Sequence, residues 1–290
     1  MIYESAEDLP GVLGARIRHD LERGGAVMLC VDESLAQQTI AEAGGPSPQL
    51  LFAPADERYA RPIDALAQLW RFCIDATAAG ATYVHSIGEL NLDGDERDDH
   101  WFWYEAAVND VLRDVDLRAT CLYESSAAAE QVYRTHPTIE LDGDARPSAA
   151  FDPSACAPPD APVAPARPAD LHLVGVDESR GVRAAMRDRA GHIPATVLDR
   201  ALIIASELIA NAVEHGGGAS DVDVWLERAG ITLTVTDHGP GIRDPYASLR
   251  PPDIPRVGAG LWLCHLESTR FGITRPEAGG TRVTAVIDAE

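Results

Sequence analysis

A long proline-rich stretch most limits what this chain can fold into. Between Asp142 and Ala169 the composition shifts to proline, alanine, aspartate and serine, with seven prolines in the stretch. Such a segment has little apolar surface to bury and predicts a semi-extended linker. The full length of 290 residues is enough for two ordinary domains. We therefore predict a domain over 1–141, a linker over 142–168 and a second domain over 169–290.

The composition excludes several classes of function. The net charge is −22 and the chain has no lysine, so arginine supplies every fixed side-chain cation. The acidic balance argues against binding to nucleic acid or to anionic membrane surfaces. Without lysine there is no Walker A lysine, no Schiff-base lysine and no protein-kinase lysine of the usual type.

The sequence predicts a cytoplasmic protein. The five cysteines are scattered and form no CxxC pair, as expected in a reducing compartment. Residues 1–25 lack the basic start and apolar run of a signal peptide. No apolar stretch reaches transmembrane length.

The first domain alternates predicted strands and helices, which indicates an α/β fold with a mainly parallel sheet. The predicted strands are 26–31, 49–53, 81–87 and 117–123, and the predicted helices are 12–23, 33–43, 61–79, 101–112 and 127–134. No glycine-rich phosphate loop occurs among them. Residues 93–100 are acidic, but their spacing does not fit a calcium loop, and we predict a solvated loop.

The helix over 101–112 has two readings. Its Trp101, Trp103 and Tyr104 could pack against the sheet or line a pocket for a small molecule. The sequence alone favours packing and leaves the ligand pocket open.

The second domain predicts an α+β fold. Its pattern is a strand over 171–174, a helix over 182–190 and a long helix from 194. Strands at 221–227 and 231–236, a helix at 261–269 and strands at 271–275 and 281–287 follow. The turns between paired strands indicate hairpins, and hence a largely antiparallel sheet with helices on one face.

The long helix carries an unusual polar stripe. Glu207, Asn211 and then Glu214 or His215 recur at helical spacing, which puts them on one face. The predicted apolar face is formed by Leu202, Ile203, Leu208, Ile209 and Val213. A carboxylate and an amide on such a helix indicate either a half-exposed wet face or part of a binding site, because burying them without partners is costly.

Three glycine motifs follow this helix in order. They are Asp237-His-Gly239-Pro-Gly241-Ile242 after a strand, Gly258-Ala-Gly260-Leu261 before a helix, and Gly279-Gly280-Thr281 before the last strand. The aspartate suits the amino group of adenine, with Thr281 in support, and glycines let the backbone approach a flat ring. Backbone N–H groups at a helix start suit phosphate. The four features together predict a nucleotide site.

These motifs resemble those of the GHKL ATP-binding fold (the Bergerat fold), shared by histidine kinases, Hsp90, gyrase B and MutL. Glu207-x-x-x-Asn211 resembles the N box, Asp237-x-Gly239-x-Gly241 the G1 box and Gly258-x-Gly260 the G2 box. The run SELIANAVEHG is similar to that of bacterial anti-sigma-factor serine/threonine kinases. The resemblance implies ATP and Mg²⁺ as cofactors, with Glu207 as the catalytic base and Asn211 as the Mg²⁺ ligand. It implies an ATP site formed by Asn211, His215, Asp237, Gly239, Gly241, Ile242, Gly258, Gly260, Leu261 and Thr281.

The first domain resembles the MEDS sensory domain. The resemblance rests on the stretches SIGEL, WFWYEAAVNDVL, LRATCLYESS and YRTHP. It implies a P-loop-like α/β sheet without the P-loop. Pairs of MEDS and ATPase domains are described as sensors or anti-sigma regulators in actinobacteria.

The sequence therefore supports two hypotheses for function. In the first, the chain phosphorylates a serine or threonine of an anti-sigma antagonist and sequesters a sigma factor, under control of the sensory domain. The alternative is a nucleotide-binding sequestration module without turnover, since the segment 242–257 carries four prolines that would stiffen a lid over ATP. A small ligand in the first domain fits either hypothesis, and the resemblance implies a homodimer. A conventional sensor histidine kinase is disfavoured because no dimerising helical hairpin with a phospho-accepting histidine precedes the ATPase domain.

Overall fold

The structure is a computed structural model that describes residues 1–90, 97–125, 130–141, 143–252 and 259–289. It divides into two compact units, Met1–Pro158 and Pro159–Glu290. No helix in the described ranges is long and apolar enough to cross a membrane.

The first unit is built on a seven-stranded sheet with the order β3-β2-β4-β5-β1-β6-β7. The strands are β1 (Ile2–Tyr3), β2 (Ala26–Cys30), β3 (Leu50–Phe52), β4 (Val84–Glu89), β5 (Leu117–Glu124), β6 (Thr138–Leu141) and β7 (Asp144–Pro147). The helices are α1 (Leu9–Glu22), α2 (Glu33–Glu42), α3 (Ala55–Arg58), α4 (Pro62–Ala78), α5 (Arg97–Val111) and α6 (Glu130–Thr135).

Six of these strands pair in parallel, and only β7 runs antiparallel to its neighbour. The interior strand β2, between β3 and β4, is buried along its whole length, as its unbroken apolar run requires between two layers of helices. The predicted α/β class with a mainly parallel sheet is confirmed.

The connection from β2 to α2 shows how this sheet manages without a phosphate loop. Only Val31 and Asp32 lie between the two elements. The Asp32 carboxylate accepts hydrogen bonds from the backbone N–H groups of Ser34, at 2.8 Å, and Leu35, at 3.0 Å. An aspartate therefore caps the helix start with its own negative charge, where a phosphate-binding loop would present free N–H groups.

The hairpin of β6 and β7 corrects the predicted linker over 142–168. Residues 144–147 pair with β6 across the sheet edge, with Pro147 opposite Thr138. Proline is tolerated there because the edge strand has no further neighbour that needs its N–H. The first part of the proline-rich stretch thus completes the first sheet. Strand β1 and helix α3 were not predicted either, because elements of two and four residues are too short to show a periodic pattern.

The aromatic helix α5 packs as the more conservative reading predicted. Phe102, Trp103 and Tyr104 are buried, and Trp101 meets the ring of Tyr104 edge-on at 5.6 Å between centroids. The predicted acidic loop over 93–100 is wrong in its last part, because α5 already includes Asp98 and Asp99 in its first turn. Acidic residues stabilise a helix start through its dipole. Residues 93–96 lie outside the described part of the chain.

The second unit contains a five-stranded antiparallel sheet with the order β11-β12-β10-β9-β8. The strands are β8 (Leu171–Val176), β9 (Ser220–Glu227), β10 (Gly230–Asp237), β11 (Arg270–Thr274) and β12 (Arg282–Asp288). The helices are α7 (Ser179–Arg189), α8 (Ala195–His215) and α9 (Gly260–Glu267). The predicted α+β class with an antiparallel sheet is confirmed.

One face of this sheet forms the core with the buried side of α8. Alternate residues of neighbouring strands stand in register, for example Val224 opposite Leu233 and Leu233 opposite Ala285. All three belong to the same buried cluster as Leu208 and Ile209 of α8. The alternation of strand side chains thus fixes which face of the sheet receives the helix.

The last part of the proline-rich stretch, from Pro159, belongs to the second unit and contacts its sheet. The indole N–H of Trp225 in β9 donates to the carbonyl of Arg167 at 2.9 Å. A Cβ on Gly272 in β11 would lie 2.4 Å from Ala161, so glycine is needed for this close approach. Within this segment Ala161, Pro162, Ala164 and Pro165 are half-buried, whereas Val163 is exposed. The sequence predicted a linker with little to bury, and this part of it instead contacts the second unit.

A buried network joins α1 to the middle of the first sheet. Asp20 is 2% exposed and lies 2.6 Å from Nδ1 of His85 and accepts a hydrogen bond from the hydroxyl of Tyr83 at 2.8 Å. His85 Nε2 lies 2.8 Å from the hydroxyl of Thr120. Burial alone would raise the pKa of Asp20, but the hydrogen bonds from His85 and Tyr83 lower that pKa below its ordinary value.

We expect Asp20→Asn to lower the free energy of unfolding of the first unit by about 1–3 kcal/mol at pH 7, since it removes a charged acceptor from a buried network. The full difference in free energy of unfolding between the variant and the wild type is expected at pH values above the pKa that Asp20 has in the unfolded chain. It should shrink as the pH falls through the lower folded pKa, because the wild-type carboxyl is then protonated too. Urea unfolding at several pH values, read by hydrogen exchange of β4 peptides, measures this.

The matched control is Asp75→Asn, which changes an exposed aspartate of α4. It should leave the stability at pH 7 unchanged. Equal effects of the two substitutions would contradict the role given to the network.

Candidate functional site

Helix α8 positions Glu207 and Asn211 on its half-buried side. The core side of the same helix carries Leu208, Ile209 and Ala212. Glu207 and Asn211 are four residues apart, so they share a different face of the helix, and both are half-buried there. Ile203 was predicted on the apolar face, but it is 44% exposed. The reason is its position one turn before Glu207, on the polar stripe itself.

The start of α9 lies directly against these two side chains. A Cβ on Gly260 would lie 2.9 Å from Nδ2 of Asn211 and 3.0 Å from Oε2 of Glu207. Within the described residues, neither side chain makes a hydrogen bond or an ion pair. A carboxylate and an amide that are partly buried and unpartnered are typical of a binding site, because burial without partners costs stability.

Asp237 ends β10 and ties the neighbouring loop to β12. Its Oδ1 accepts hydrogen bonds from the N–H groups of Gly239, at 2.9 Å, and Thr281, at 3.0 Å. Its own N–H donates to the carbonyl of Thr281 at 2.8 Å. These bonds fix the carboxylate by one oxygen, and within the described residues Oδ2 has no partner.

Glycines surround Asp237 so closely that side chains would not fit. A Cβ on Gly216 at the end of α8 would lie 2.4 Å from Cβ of Asp237. One on Gly239 would lie 2.6 Å from Cα of Gly216. One on Gly280, whose φ is +83°, would lie 2.0 Å from the carbonyl oxygen of Asp237. The end of α8, the loop after β10 and the start of β12 therefore meet at the aspartate.

The remaining predicted site residues lie around this point with different exposures. Thr281 is buried, and Leu261 is half-buried against the core. Gly241 has a φ of +80° and lies near the carbonyl of Gly280. The side chains of His215 and Ile242 are exposed, and it is the backbone carbonyl of His215 that lies beside Gly239. Gly258 lies outside the described residues.

The described part of the segment 242–257 is anchored to α9. A short 3₁₀ turn, Ala247–Leu249, buries Leu249 completely and Ser248 almost so. The Ser248 hydroxyl lies 3.1 Å from Nδ1 of His265 in α9. This half of the segment is thus packed on the helix that carries Gly260. Residues 253–258 lie outside the described part.

A cleft of about 320 Å³ opens beside Glu207, between α7 and α8. Its lining residues are Arg183, Arg187, Asp199, Leu202, Ile203, Ser206 and Glu207. The two arginines were not singled out from the sequence. The spacing of Arg183 and Arg187 by four residues on a helix could have shown that they share a face.

The comparisons with known proteins give each unit a family. Residues 1–137 match the model of the MEDS family, the methanogen/methylotroph DcmR sensory domain. Residues 167–287 match the model of the histidine kinase-like ATPase domain. The chain carries a MEDS domain followed by a histidine kinase-like ATPase domain. No curated protein matches the sequence significantly.

One solved structure is also similar to the ATPase domain. It is the ATP binding domain of PrrB from Mycobacterium tuberculosis, at 20% identity, and the match covers 42% of this chain and 99% of that chain with a TM-score of 0.28.

Two groups of the candidate site have chemistry that suits a nucleotide and its metal ion, a hydrogen-bond acceptor and a metal ligand. Oδ2 of Asp237 is an acceptor at a fixed position, because Oδ1 is held by two backbone N–H groups and the glycines around it pack closely. The amide oxygen of Asn211 is the kind of ligand that Mg²⁺ prefers. Burial raises the pKa of the Cys264 thiol in α9, and the charge of Glu207 raises that pKa further, so this thiol stays protonated.

Gly280→Ala should destabilise the ATPase domain more than Gly279→Ala does. Both glycines have positive φ, so alanine costs about 1 kcal/mol of backbone strain at either position. Only at Gly280 would the new Cβ also clash with the Asp237 carbonyl, which we expect to add about 1–3 kcal/mol. The free energy of unfolding in urea measures the difference.

Gly279 is the matched control because it has nothing within 4 Å of its ideal Cβ. If the two variants unfold at the same urea concentration, the close approach of Gly280 to Asp237 is contradicted.

Proposed function

We propose that the ATPase domain binds Mg²⁺-ATP at the site built around Asp237. The observation that carries this proposal is the geometry of that carboxylate. One oxygen is fixed by two backbone N–H groups, and the other is left to accept a hydrogen bond, as the amino group of adenine would offer. The glycines around Asp237 let three backbone segments pack closely, which holds this carboxylate in place.

Asn211 would hold the metal ion. Its side chain lies next to the N-terminus of α9, where backbone N–H groups and the helix dipole favour the phosphates of the nucleotide. When bound, Mg²⁺ would neutralise phosphate charge near the Glu207 carboxylate. The Asn211 amide contributes an oxygen ligand without adding a negative charge.

Asp237→Asn should weaken Mg²⁺-ATP binding by about 10- to 100-fold. Asparagine keeps an oxygen for the two backbone N–H groups, so the turn is preserved, but it turns an NH₂ group toward the adenine amine. A hydrogen bond to a charged group contributes about 1.5–3 kcal/mol, which sets the expected size. Isothermal titration of the full chain measures it.

Asp188→Asn is the control, since this aspartate lies exposed on α7. It should leave the affinity for Mg²⁺-ATP unchanged. An Asp237→Asn chain that binds as tightly as wild type would overturn the assignment of the adenine contact.

We propose further that the bound ATP is used to phosphorylate a serine or threonine of a protein. Glu207 is the residue that would accept the proton of the attacking hydroxyl. Its carboxylate lies at the edge of the cleft between α7 and α8, from which an acceptor chain could approach. Arg183 and Arg187 in that cleft would attract an acidic acceptor segment. Transfer itself would rely on positioning and on neutralising the phosphate charge.

The proposed acceptor is an anti-sigma antagonist, and the proposed regulatory partner is a sigma factor that the chain sequesters. The support is the similarity of residues 206–216 to anti-sigma-factor kinases and the MEDS domain that precedes the ATPase domain. In this proposal a small ligand of the MEDS domain controls the ATPase domain, and the chain acts as a homodimer.

Glu207→Gln should lower phosphate transfer by about 10²- to 10⁴-fold and leave the affinity for Mg²⁺-ATP within about threefold, because the amide cannot accept the proton. The measurement is transfer of label from [γ-³²P]ATP to the proteins encoded by the neighbouring genes. Glu214→Gln, on an exposed position further along the same helix, should transfer like wild type.

Undiminished transfer by Glu207→Gln would contradict its role as base. Tight ATP binding by the wild-type chain with neither hydrolysis nor transfer would instead favour the sequestration module without turnover.

A further inference from the structure

Three side chains with metal-binding chemistry meet in the MEDS domain. Glu105 comes from α5, Cys121 from β5, and His136 directly follows α6. One ligand atom from each, a carboxylate oxygen, a thiol sulfur and an imidazole nitrogen, lie within 4.8 Å of one another. The cluster is inside the domain: Glu105 is 4% exposed, and the other two side chains are partly buried.

The hydrogen bonds of His136 leave its outer nitrogen available. Nδ1 lies 2.8 Å from the carbonyl oxygen of Val132, which can only accept, so Nδ1 carries the proton. In the neutral ring Nε2 then has the lone pair, and it lies 3.5 Å from Oε1 of Glu105. An imidazole fixed by a backbone carbonyl in this way is the usual arrangement of a metal-ligating histidine.

Outer groups also fix the carboxylate of Glu105. The hydroxyl of Thr135 donates to Oε2 of Glu105 at 3.0 Å, and the hydroxyl of Tyr123 donates to Oε1. Tyr123 and Cys121 are two residues apart on β5, so both side chains point to the side of the sheet that α5 covers. The carboxylate is therefore oriented by neighbours that would not themselves need to bind an ion.

We propose that Glu105, Cys121 and His136 bind one divalent transition-metal ion, with Zn²⁺ the best match. One sulfur, one nitrogen and one oxygen donor suit Zn²⁺ and do not suit Mg²⁺ or Ca²⁺, which prefer oxygen alone. Binding would form the metal–sulfur bond and release the proton of the Cys121 thiol to the buffer. Three protein ligands leave a fourth position for water or for a small ligand with an oxygen, nitrogen or sulfur donor.

The separations need only a small adjustment to reach metal-binding geometry. Metal–ligand bonds of about 2.0–2.3 Å in a tetrahedron place the ligand atoms about 3.3–3.8 Å apart. The contact between His136 and Glu105 is already 3.5 Å, and no pair of the three atoms exceeds 4.8 Å. Rotation of side chains by less than about 1.5 Å at the ligand atoms would close the site.

Cobalt substitution of the full chain tests the proposal. The chain is stripped with a chelator, titrated with Co²⁺ and then with Zn²⁺. We expect one Co²⁺ per chain, a thiolate-to-cobalt charge-transfer band and visible bands of a four-coordinate ion, all abolished when Zn²⁺ displaces Co²⁺. Cys121→Ser should abolish the charge-transfer band, and His136→Gln should weaken Co²⁺ binding at least tenfold.

The control is Cys73→Ala, which removes a buried thiol of α4 that does not belong to the cluster and should leave the band unchanged. If a cluster variant does not fold, alkylation of the wild-type chain replaces it: Zn²⁺ should protect Cys121, mapped by mass spectrometry, more than Cys73. Absence of the band in wild type, persistence of the band in Cys121→Ser, or equal alkylation of Cys121 with and without Zn²⁺ would overturn the proposal and leave a metal-free hydrogen-bond network.

Discussion

The two hydrogen bonds that Oδ1 of Asp237 accepts hold the candidate site of the ATPase domain together. They join the end of β10, the loop after it and the start of β12 through one carboxylate. Without these two hydrogen bonds, the N–H groups of Gly239 and Thr281 would be partly buried with no acceptor. These bonds draw the loop after β10 so close to the start of β12 that neither segment has room for side chains at the contact.

That lack of room explains why glycine occurs where three elements meet. Gly216 ends α8 against the Asp237 side chain, and Gly239 then packs on Gly216. Helix α8 therefore reaches the aspartate with its end and presents Glu207 and Asn211 further back along its length. The same helix buries Leu208 and Ile209 in the core, so packing of the core sets the positions of the polar residues. A change in the core register would displace the site.

Much of this could be predicted from sequence because it depends on local patterns. The period of α8, the alternation in β9 and β10 and the glycine motifs each lie within a few residues, and the two fold classes follow from their order. The packing of Gly216 on Asp237 could not be predicted from sequence, because the two residues are 21 positions apart and only the fold brings them together. The hairpin of β6 and β7 was missed since proline suggested a linker, although an edge strand tolerates it. Glu105, Cys121 and His136 are likewise separated by 15 or 16 residues and have no motif spacing.

Charge imposes the last constraint on how this chain can handle phosphate. The chain has no lysine and a net charge of −22. The negative charge of a bound nucleotide would therefore have to be offset by backbone N–H groups, arginine or a metal ion. In the MEDS domain the N-terminus of α2 is capped by the Asp32 carboxylate, which would repel phosphate. In the ATPase domain the N-terminus of α9 has no such cap from its own residue, and it faces Asn211 and Glu207. Because Glu207 is an acid beside the proposed phosphate position, a divalent cation on Asn211 would be needed there to offset its charge.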